Sequence, residues 1–229
     1  MKFKPYFILI LMFTSCIAIK NKKNLMNIND IGLTKNELKL NGYYYQDKSY
    51  KTYPYYKNQY GGYSQDSTKE YNQIRILPIF LDSNGSAEKQ GSISGMQDNL
   101  GFNYIAKCSL EDNNTIESAF EHFECILNNR PESKLNFINK KAEIWSQGVY
   151  KVNGSEIAIQ IFYNVMGDYH LYEERGNVLN DTTFILTSAI DYQDGKTFEI
   201  EKKYHFKEMN NMPKIESYIL KNKNKFEKN

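Results

Sequence analysis

The sequence predicts a mainly β protein, an antiparallel meander that forms a barrel or a strongly curled sheet, with one amphipathic helix. Three observations predict it. Apolar and polar residues alternate along several short segments, turn-forming residues separate these segments, and a single segment has helical periodicity. Closely spaced short strands favour one antiparallel domain. We place this domain at residues 38–209 and expect the helix to plug the barrel.

The first predicted strands are "LKLNGYYY" at residues 38–45 and "QIRILPIFLD" at residues 73–82. The second strand runs into "DSNGS", a run of residues typical of hairpin turns. Because Pro78 has no N–H to donate to a neighbouring strand, we expect an edge or a bulge at this position.

One helix is predicted at about residues 115–129, in "NNTIESAFEHFECILNNRP". Its apolar residues recur at helical spacing, on an arc centred near Phe123 and Leu127. Asn114 is suited to cap its start, and Pro131 lies beyond its end.

The second half of the domain reads as a meander. "WSQGVYKV" and "SEIAIQIFYN" are joined through Asn153 and Gly154, a pair that favours a type I′ hairpin turn. "YHLYEERG", "TTFILTSAI" and "TFEIEKKYHFKEM" follow, separated by the turn-like "NVLND" and "YQDGK". In the last strand the apolar face is interrupted once, by Lys202.

The N-terminal segment predicts export. Two lysines precede an apolar stretch that is much shorter than the roughly 20 residues needed to cross a bilayer, and these are features of a secretory signal peptide. The stretch ends in "FTSC", residues 13–16, which resembles the lipobox of bacterial envelope lipoproteins. The resemblance implies cleavage of residues 1–15, then diacylglycerol on the Cys16 sulfur and an amide-linked chain such as palmitate on its nitrogen. The implied location is the cell envelope, facing the periplasm rather than the exterior.

Removal of residues 1–15 takes away two lysines and leaves basic and acidic residues equal in number. A neutral chain argues against nucleic-acid binding, which requires concentrated positive charge. Residues 16–37 and 210–229 are polar, and we expect a flexible lipid-anchored tether and a frayed tail.

After lipidation of Cys16, Cys108 and Cys125 are left as a possible disulfide, which a compartment outside the cytoplasm permits. The helical periodicity argues against it. Cys125 lies opposite the apolar arc, so a bridge would require the segment carrying Cys108 to cross the polar side of the helix.

Ten of the 19 tyrosines fall between Tyr43 and Tyr71, in a segment that reads as an irregular insertion between two strands. Tyrosine offers a flat apolar body and a polar tip, so such a segment can stack on sugars or contact a protein. The residues of this candidate surface are Tyr53, Tyr55, Tyr56, Tyr60 and Tyr63.

The sequence contains no phosphate-binding or dinucleotide glycine pattern, no "HExxH" and no nucleophile elbow. We therefore assign no catalytic residue, cofactor site or metal site; His122 and Cys125 lack the further ligands that zinc needs. The chain is expected to be a non-catalytic envelope module for a small molecule, glycan or protein partner. The alternative is an anchored, glycosidase-like hydrolase whose carboxylates come from distant strands.

The predicted architecture resembles a lipocalin-like barrel, but the likeness is confined to architecture. The Gly-x-Trp signature of that family is missing near the first strand, which reads "LNGYYY", and Trp145 comes late in the chain.

Overall fold

The computed structural model describes residues 18–33, 38–94, 108, 114–128, 144–212 and 217–226; the expected signal peptide and Cys16 lie outside them. The strands are β1 Gly32–Leu33, β2 Gly42–Thr52, β3 Tyr55–Lys57, β4 Tyr63–Gln65, β5 Tyr71–Leu81, β6 Ser86–Lys89, β7 Ile93–Ser94, β8 Gln147–Asn153, β9 Glu156–Val165, β10 Asp168–Asn180, β11 Thr183–Asp191 and β12 Lys196–Glu208. The helices are α1 Ile116–Asn128 and α2 Tyr218–Lys221, and short 3₁₀ turns occupy Lys22–Asn24, Ile28–Asp30 and Lys223–Lys225.

Eight strands form a closed antiparallel barrel, which confirms the predicted meander and selects a barrel over an open sheet. The strands β2, β5, β6 and β8 to β12 are neighbours in chain order, and β12 returns to pair with β2. In this closing ladder Phe206 lies opposite Tyr44 and Glu208 opposite Gly42. Strand β1 joins β8 in parallel, β7 joins β5, and β3 and β4 form a separate hairpin.

The two ends of the barrel differ. The turns after β5, β8 and β10 gather at one end, which we call the closed end because two buried tyrosines seal it. The Tyr44 hydroxyl donates to the carbonyl oxygen of Asp181 at 2.9 Å, and the Tyr150 hydroxyl donates to that of Asp82 at 2.9 Å. The other end, which we call the mouth, carries the turn of Met166 and Gly167 and the turn at residues 192–195.

The predicted alternation determines which side chains fill the barrel. Ile157, Ile159 and Ile161 of β9 are buried in the interior cluster, whereas Phe162 belongs to a cluster on the outer wall. Burial of each large apolar side chain contributes about 1.5 to 3 kcal/mol, so the interior cluster is a main source of stability. Its buried members are Leu38, Tyr44, Ile79, Leu81, Ala87, Tyr150, Val152, Ile157, Ile159, Ile161, Phe184, Leu186 and Tyr204.

The helix α1 covers the barrel from outside, so the expectation that it plugs the barrel was wrong. Its Ala119 and Phe123 pack against the outward-facing Tyr43, Ile76 and Phe80 of β2 and β5. The alternate residues of these two strands are apolar on both faces, and the outer face therefore needs a cover. The bounds of α1 agree closely with the predicted 115–129.

The tether and tail predictions need correction, because both terminal segments dock on the outer wall. In the described part of the N-terminal segment, Leu25 and Ile28 are buried against Phe162 and Leu171. Beyond the domain, the buried side chains of Ile219 and Phe226 join the same cluster. A few apolar residues in otherwise polar segments are enough for docking when the outer face of the barrel is also apolar. These few residues show no local periodicity, so the sequence pattern does not predict the docking.

Two local predictions can be compared with the backbone. Pro78 lies between the β6 ladder, which ends with Ile79 opposite Lys89, and the β7 ladder, which begins with Ile76 opposite Ile93. Its missing N–H therefore falls in a gap between ladders, consistent with the expected edge. The β8–β9 hairpin is present, but its loop residues are Gly154 and Ser155 and only Gly154 has a positive φ, of 60°. This pattern is that of a type II′ turn, and not the type I′ turn expected at Asn153 and Gly154.

The turn prediction at residues 177–181 was too long. Strand β10 continues to Asn180, which lies opposite Thr183, so only Asp181 and Thr182 connect β10 to β11. Within this ladder Gly176 is required by a close approach: a Cβ there would lie 1.8 Å from the carbonyl oxygen of Ile185.

Cys108 and Cys125 are joined by a disulfide, with 5.7 Å between their Cα atoms. Cys108 is buried, and it is the only described residue between Ser94 and Asn114. The position of Cys125 opposite the apolar arc disfavoured this bridge only because a single face of the helix was expected to be covered. In the structure the polar side of α1 is also contacted, because Cys108 is bonded to Cys125 there.

Candidate functional site

A groove of about 600 Å³ runs along the outer wall of the barrel, across β8, β9 and β10. One side of it is built by the docked N-terminal segment at Asn24, Leu25 and Met26. The groove reaches the closed end at Asn153 and Glu156. Its volume lies within the range of small-molecule sites.

Buried polar groups form the base of the groove. The side-chain amide of Gln160 donates to Glu173 Oε2 at 2.5 Å and to the carbonyl oxygen of Asn24 at 3.1 Å. Its oxygen accepts from the backbone N–H of Met26 at 2.6 Å. Gln160 therefore ties the N-terminal segment to the wall, and its amide plane is fixed by three contacts.

Glu173 organises the neighbouring side chains. Its Oε1 accepts from Arg175 Nε, and its Oε2 accepts from the Tyr192 hydroxyl at 2.8 Å. Burial, followed by the hydrogen bond to Glu173, raises the pKa of Tyr192 to about 12, so the hydroxyl keeps its proton. The side chain of Arg175 is 58% exposed. The guanidinium is thus held at one edge while much of the group faces the groove.

The lining is rich in groups that both donate and accept hydrogen bonds. Three asparagine side chains, those of Asn24, Asn153 and Asn177, provide amides, each with two donors and an acceptor oxygen. Apolar surface is added by Leu25, Met26 and Ala158. Two basic residues, Lys151 and Arg175, balance two acidic ones, Glu156 and Glu173. Such a lining suits a neutral ligand with many hydroxyl groups and apolar C–H faces.

The spacing of the groove carboxylates disfavours the glycosidase-like alternative at this site. Glu156 lies opposite Asn177 and Glu173 opposite Gln160, so the two acids are four residues apart along paired strands. That separation is about 13 Å at the usual rise of a strand. The two acids of a glycosidase are about 5 to 9.5 Å apart. Glu173 is also fully engaged by three neighbouring side chains.

A second charged cluster lies inside the barrel, between the apolar core and the mouth. The ammonium groups of Lys89 and Lys202 donate to opposite oxygens of the buried Glu174 carboxylate. Burial is the strongest single influence on the pKa of Glu174 and acts to raise it, but the two ammonium groups together hold that pKa below its usual value. Burial lowers the pKa of Lys89 despite its attraction to Glu174.

This charged cluster explains the interrupted apolar face of β12. Lys202 was the exception in that pattern, and it faces inward because Glu174 is its partner. The alternation of apolar and polar residues along β12 indicated that a charged residue faces the interior. It did not identify Glu174 as the carboxylate that pairs with it. Beyond the cluster, the mouth is lined by aromatic rings: Tyr172 lies 6.0 Å from Phe198 and 6.0 Å from Tyr163, measured between ring centroids.

The tyrosine-rich segment extends the β2–β5 ribbon as an arm. Strand β2 pairs with β5 from Tyr44 to Thr52, whereas it pairs with β12 only from Gly42 to Tyr45. The β3–β4 hairpin follows at the tip, so the segment is more regular than the insertion expected. On the arm, Tyr60 is 87% exposed and Tyr56 is 53% exposed.

The other members of the candidate tyrosine surface are less informative. The Tyr53 hydroxyl donates to Glu70 Oε1 at 3.3 Å, which directs it along the ribbon. The backbones of Tyr55 and Tyr63 belong to the hairpin, but their side chains lie outside what the structure describes. Only Tyr56 and Tyr60 can therefore be placed on a solvent-facing surface.

No metal-binding group of three or more candidate ligands occurs among the described residues. On α1, the Cys125 sulfur is in the disulfide, and His122 Nδ1 lies 2.6 Å from the carbonyl oxygen of Ser94. These two residues therefore have structural partners in the fold.

The groove could not be predicted from sequence because its residues come from four separate segments. The strands contribute ordinary polar residues on their outward faces, where polar residues are common, and the N-terminal segment contributes Asn24, Leu25 and Met26. The groove is recognised only when these lining residues come together in space, and that depends on the docking of residues 24–26.

The chain matches no protein-family model, no curated protein and no solved structure. Within the described ranges, none of the helices has the length and apolar character needed to span a membrane.

Proposed function

We propose that this protein is a bacterial envelope lipoprotein, anchored through acylated Cys16 and facing the periplasm, that acts as a non-catalytic binding module. Its ligand is a neutral, hydroxyl-rich molecule such as a glycan, held in the groove on the outer wall. The observation that carries the proposal is the groove itself, with its asparagine amides, its charge-balanced lining and its adjacent apolar surface.

The anchor is supported by the resemblance of "FTSC" to a lipobox, and replacement of Cys16 by serine tests it. The Cys16→Ser variant should accumulate as uncleaved precursor without fatty acid, measured by intact mass and by labelling with an alkyne fatty acid. A variant that matures normally and still takes up label would refute the anchor.

The groove is tested with neutral oligosaccharides, namely chito- and maltooligosaccharides, by native mass spectrometry. Ala158 faces the groove, so Ala158→Trp should fill it and abolish ligand binding. Ser49→Trp is the matched control, because Ser49 is exposed on β2 outside the groove. Oligogalacturonates, which carry negative charge, should bind more weakly than the neutral sugars. Equal binding by both tryptophan variants would rule out the groove as the site.

The same experiment separates binding from hydrolysis. A bound oligosaccharide that keeps its mass over time is the expected result. Shortened products that disappear in Glu173→Gln would replace the binding proposal by the hydrolase alternative. The exposed Glu199, replaced by glutamine, serves as the control for the loss of a surface carboxylate.

The exposure of Tyr60 and Tyr56 favours a second candidate role, contact of the arm with a protein of the envelope. Exposed aromatic residues on a projecting hairpin supply large contact area at low cost in conformational entropy. A photo-crosslinking amino acid at Tyr60 should capture one defined partner in intact cells, and the same probe at Lys203, exposed on β12 away from the arm, should not. Identical crosslinking patterns at both positions would argue against a specific arm contact.

A further inference from the structure

The chain enters the barrel wall immediately after the proposed anchor. The backbone N–H of Ala18 donates to Asp168 Oδ1 at 3.1 Å, and its carbonyl accepts from the N–H of Tyr169 at 2.9 Å. The N–H of Lys20 donates to the carbonyl of Tyr169 at 2.7 Å. Residues 18–20 are therefore fixed to the first residues of β10, at the mouth of the barrel.

Covalent geometry limits the distance between the anchor and this attachment. Cys16 precedes Ala18 by two residues, which span at most about 7 Å whatever their conformation. An acylated Cys16 lies at the level of the lipid headgroups. The start of β10, and the β9–β10 turn that leads into it, would then be at the membrane surface.

The surface near this attachment carries exposed apolar side chains. Met166, at the tip of the β9–β10 turn, is fully exposed at 104% and has a positive φ of 50°. Glycine or asparagine is favoured at such a position in a type I′ turn, so local backbone geometry gives no reason for methionine. Trp145 is 48% exposed and lies beside β9, the strand that leads into this turn. Its neighbour Ser146 donates its N–H to the carbonyl of Phe162 on β9, at 3.0 Å.

Positive charge accompanies these apolar groups. Lys20, Lys22 and Lys23 are exposed on the docked segment, and Lys20 Nζ lies 3.5 Å from Asp168. Basic side chains close to an anchor attract the negative headgroups of anionic phospholipids. Tryptophan is the residue most enriched, with tyrosine, at the boundary between membrane and water.

We propose that the mouth end of the barrel is a membrane-contacting face, in which Met166 and Trp145 enter the interfacial layer of an anionic phospholipid bilayer. The inference rests on the lipidation proposed for Cys16. The anchor is a short link and not a long tether, so the barrel is held in one orientation. The groove, which reaches the opposite end at Asn153 and Glu156, then opens to the aqueous side.

Trp145 is the chain's one tryptophan and is therefore a built-in reporter. The acylated protein is purified in detergent and reconstituted into phosphatidylethanolamine and phosphatidylglycerol vesicles that contain phospholipids brominated at defined depths. We expect a blue shift of Trp145 emission and quenching that is strongest when the bromines are close to the headgroup.

The matched control places the reporter at the other end of the barrel. Leu179, 55% exposed, lies near the end of β10 that leads to the closed end. The double variant Trp145→Phe, Leu179→Trp should bind vesicles equally well and show no quenching. Met166→Asn, which suits the positive φ, should keep vesicle binding and reduce the quenching of Trp145.

The outcomes distinguish the inference from the proposal on which it rests. If the purified wild-type protein carries no acyl chains and does not bind vesicles, the lipid anchor is refuted, and the proposed orientation is refuted with it. Acylated protein that binds vesicles with Trp145 unquenched refutes the orientation alone. Equal quenching of the two reporters also refutes it, because a barrel without a preferred orientation would give that result.

Discussion

Lys202 and Glu174 form an ion pair inside the barrel, at the level where the apolar interior gives way to the mouth. Glu174 is almost completely buried, and its second oxygen is bound by Lys89. A buried carboxylate is costly unless it is paired and hydrogen-bonded. The two lysines therefore act as a unit with Glu174.

Removal of one lysine should destabilise the barrel. In Lys202→Met, Glu174 loses one of two charged donors, and we expect the free energy of unfolding to fall by about 1 to 3 kcal/mol. Urea unfolding at neutral pH measures this change. Lys203→Met is the matched control, since Lys203 is exposed on the same strand, and it should change stability by less than about 0.5 kcal/mol. Similar losses in both variants would contradict the role given to the pair.

The same cluster predicts a pH dependence. The pKa of Glu174 is lowered in the folded protein, so its contribution to stability is present above the ordinary glutamate value of about 4.3 and is lost as the pH falls through the folded value. Wild-type stability should therefore decline in acid more steeply than that of Glu174→Gln. Parallel declines, measured by urea unfolding from pH 6 downward to about 3, would contradict this assignment.

The docked N-terminal segment should contribute to stability. Leu25 is buried between the segment and the outer wall, so Leu25→Ala should lower the free energy of unfolding by about 2 to 4 kcal/mol. Lys23→Ala, at an exposed position two residues earlier, should have little effect. If residues 18–33 were a free tether, both substitutions would leave the unfolding curve unchanged. Because Leu25 and Met26 also line the groove, Leu25→Ala should weaken oligosaccharide binding as well.

The disulfide should stabilise the attachment of α1. It closes a loop with a sequence separation of 17 residues, for which the chain-entropy account gives about 3 kcal/mol. The double variant Cys108→Ser, Cys125→Ser should unfold at lower urea concentration than the wild type. The reductant dithiothreitol should shift wild-type unfolding in the same direction and leave the variant unaffected. Two free thiols in protein isolated from an oxidising compartment would exclude the bridge.

The elements that could be predicted from sequence are those governed by local periodicity. The alternation in "SEIAIQIFYN" places three isoleucines in the interior and Phe162 on the outer wall, as expected. Helix α1 was predicted to within a residue or two because apolar spacing is a short-range feature. The predicted cap was wrong: the Thr115 hydroxyl accepts from the N–H of Ser118, whereas the Asn114 side chain bonds to the β5 backbone. The candidate tyrosine surface was only partly predictable: composition located it, but exposure at Tyr60 depends on how far the β2–β5 ribbon projects.

Sequence alone determined most of the barrel strands, the helix, and the presence of one charge on an otherwise apolar face at Lys202. Tertiary structure decided the partner of that charge, the closure of β12 on β2, the disulfide, the position of α1 outside the barrel, and the groove. The physical reason is the distance along the sequence over which each feature is determined. Periodicity reflects which face of an element is buried, whereas Gln160 meeting Met26 and Glu174 meeting Lys202 depend on residues brought together by the closed sheet.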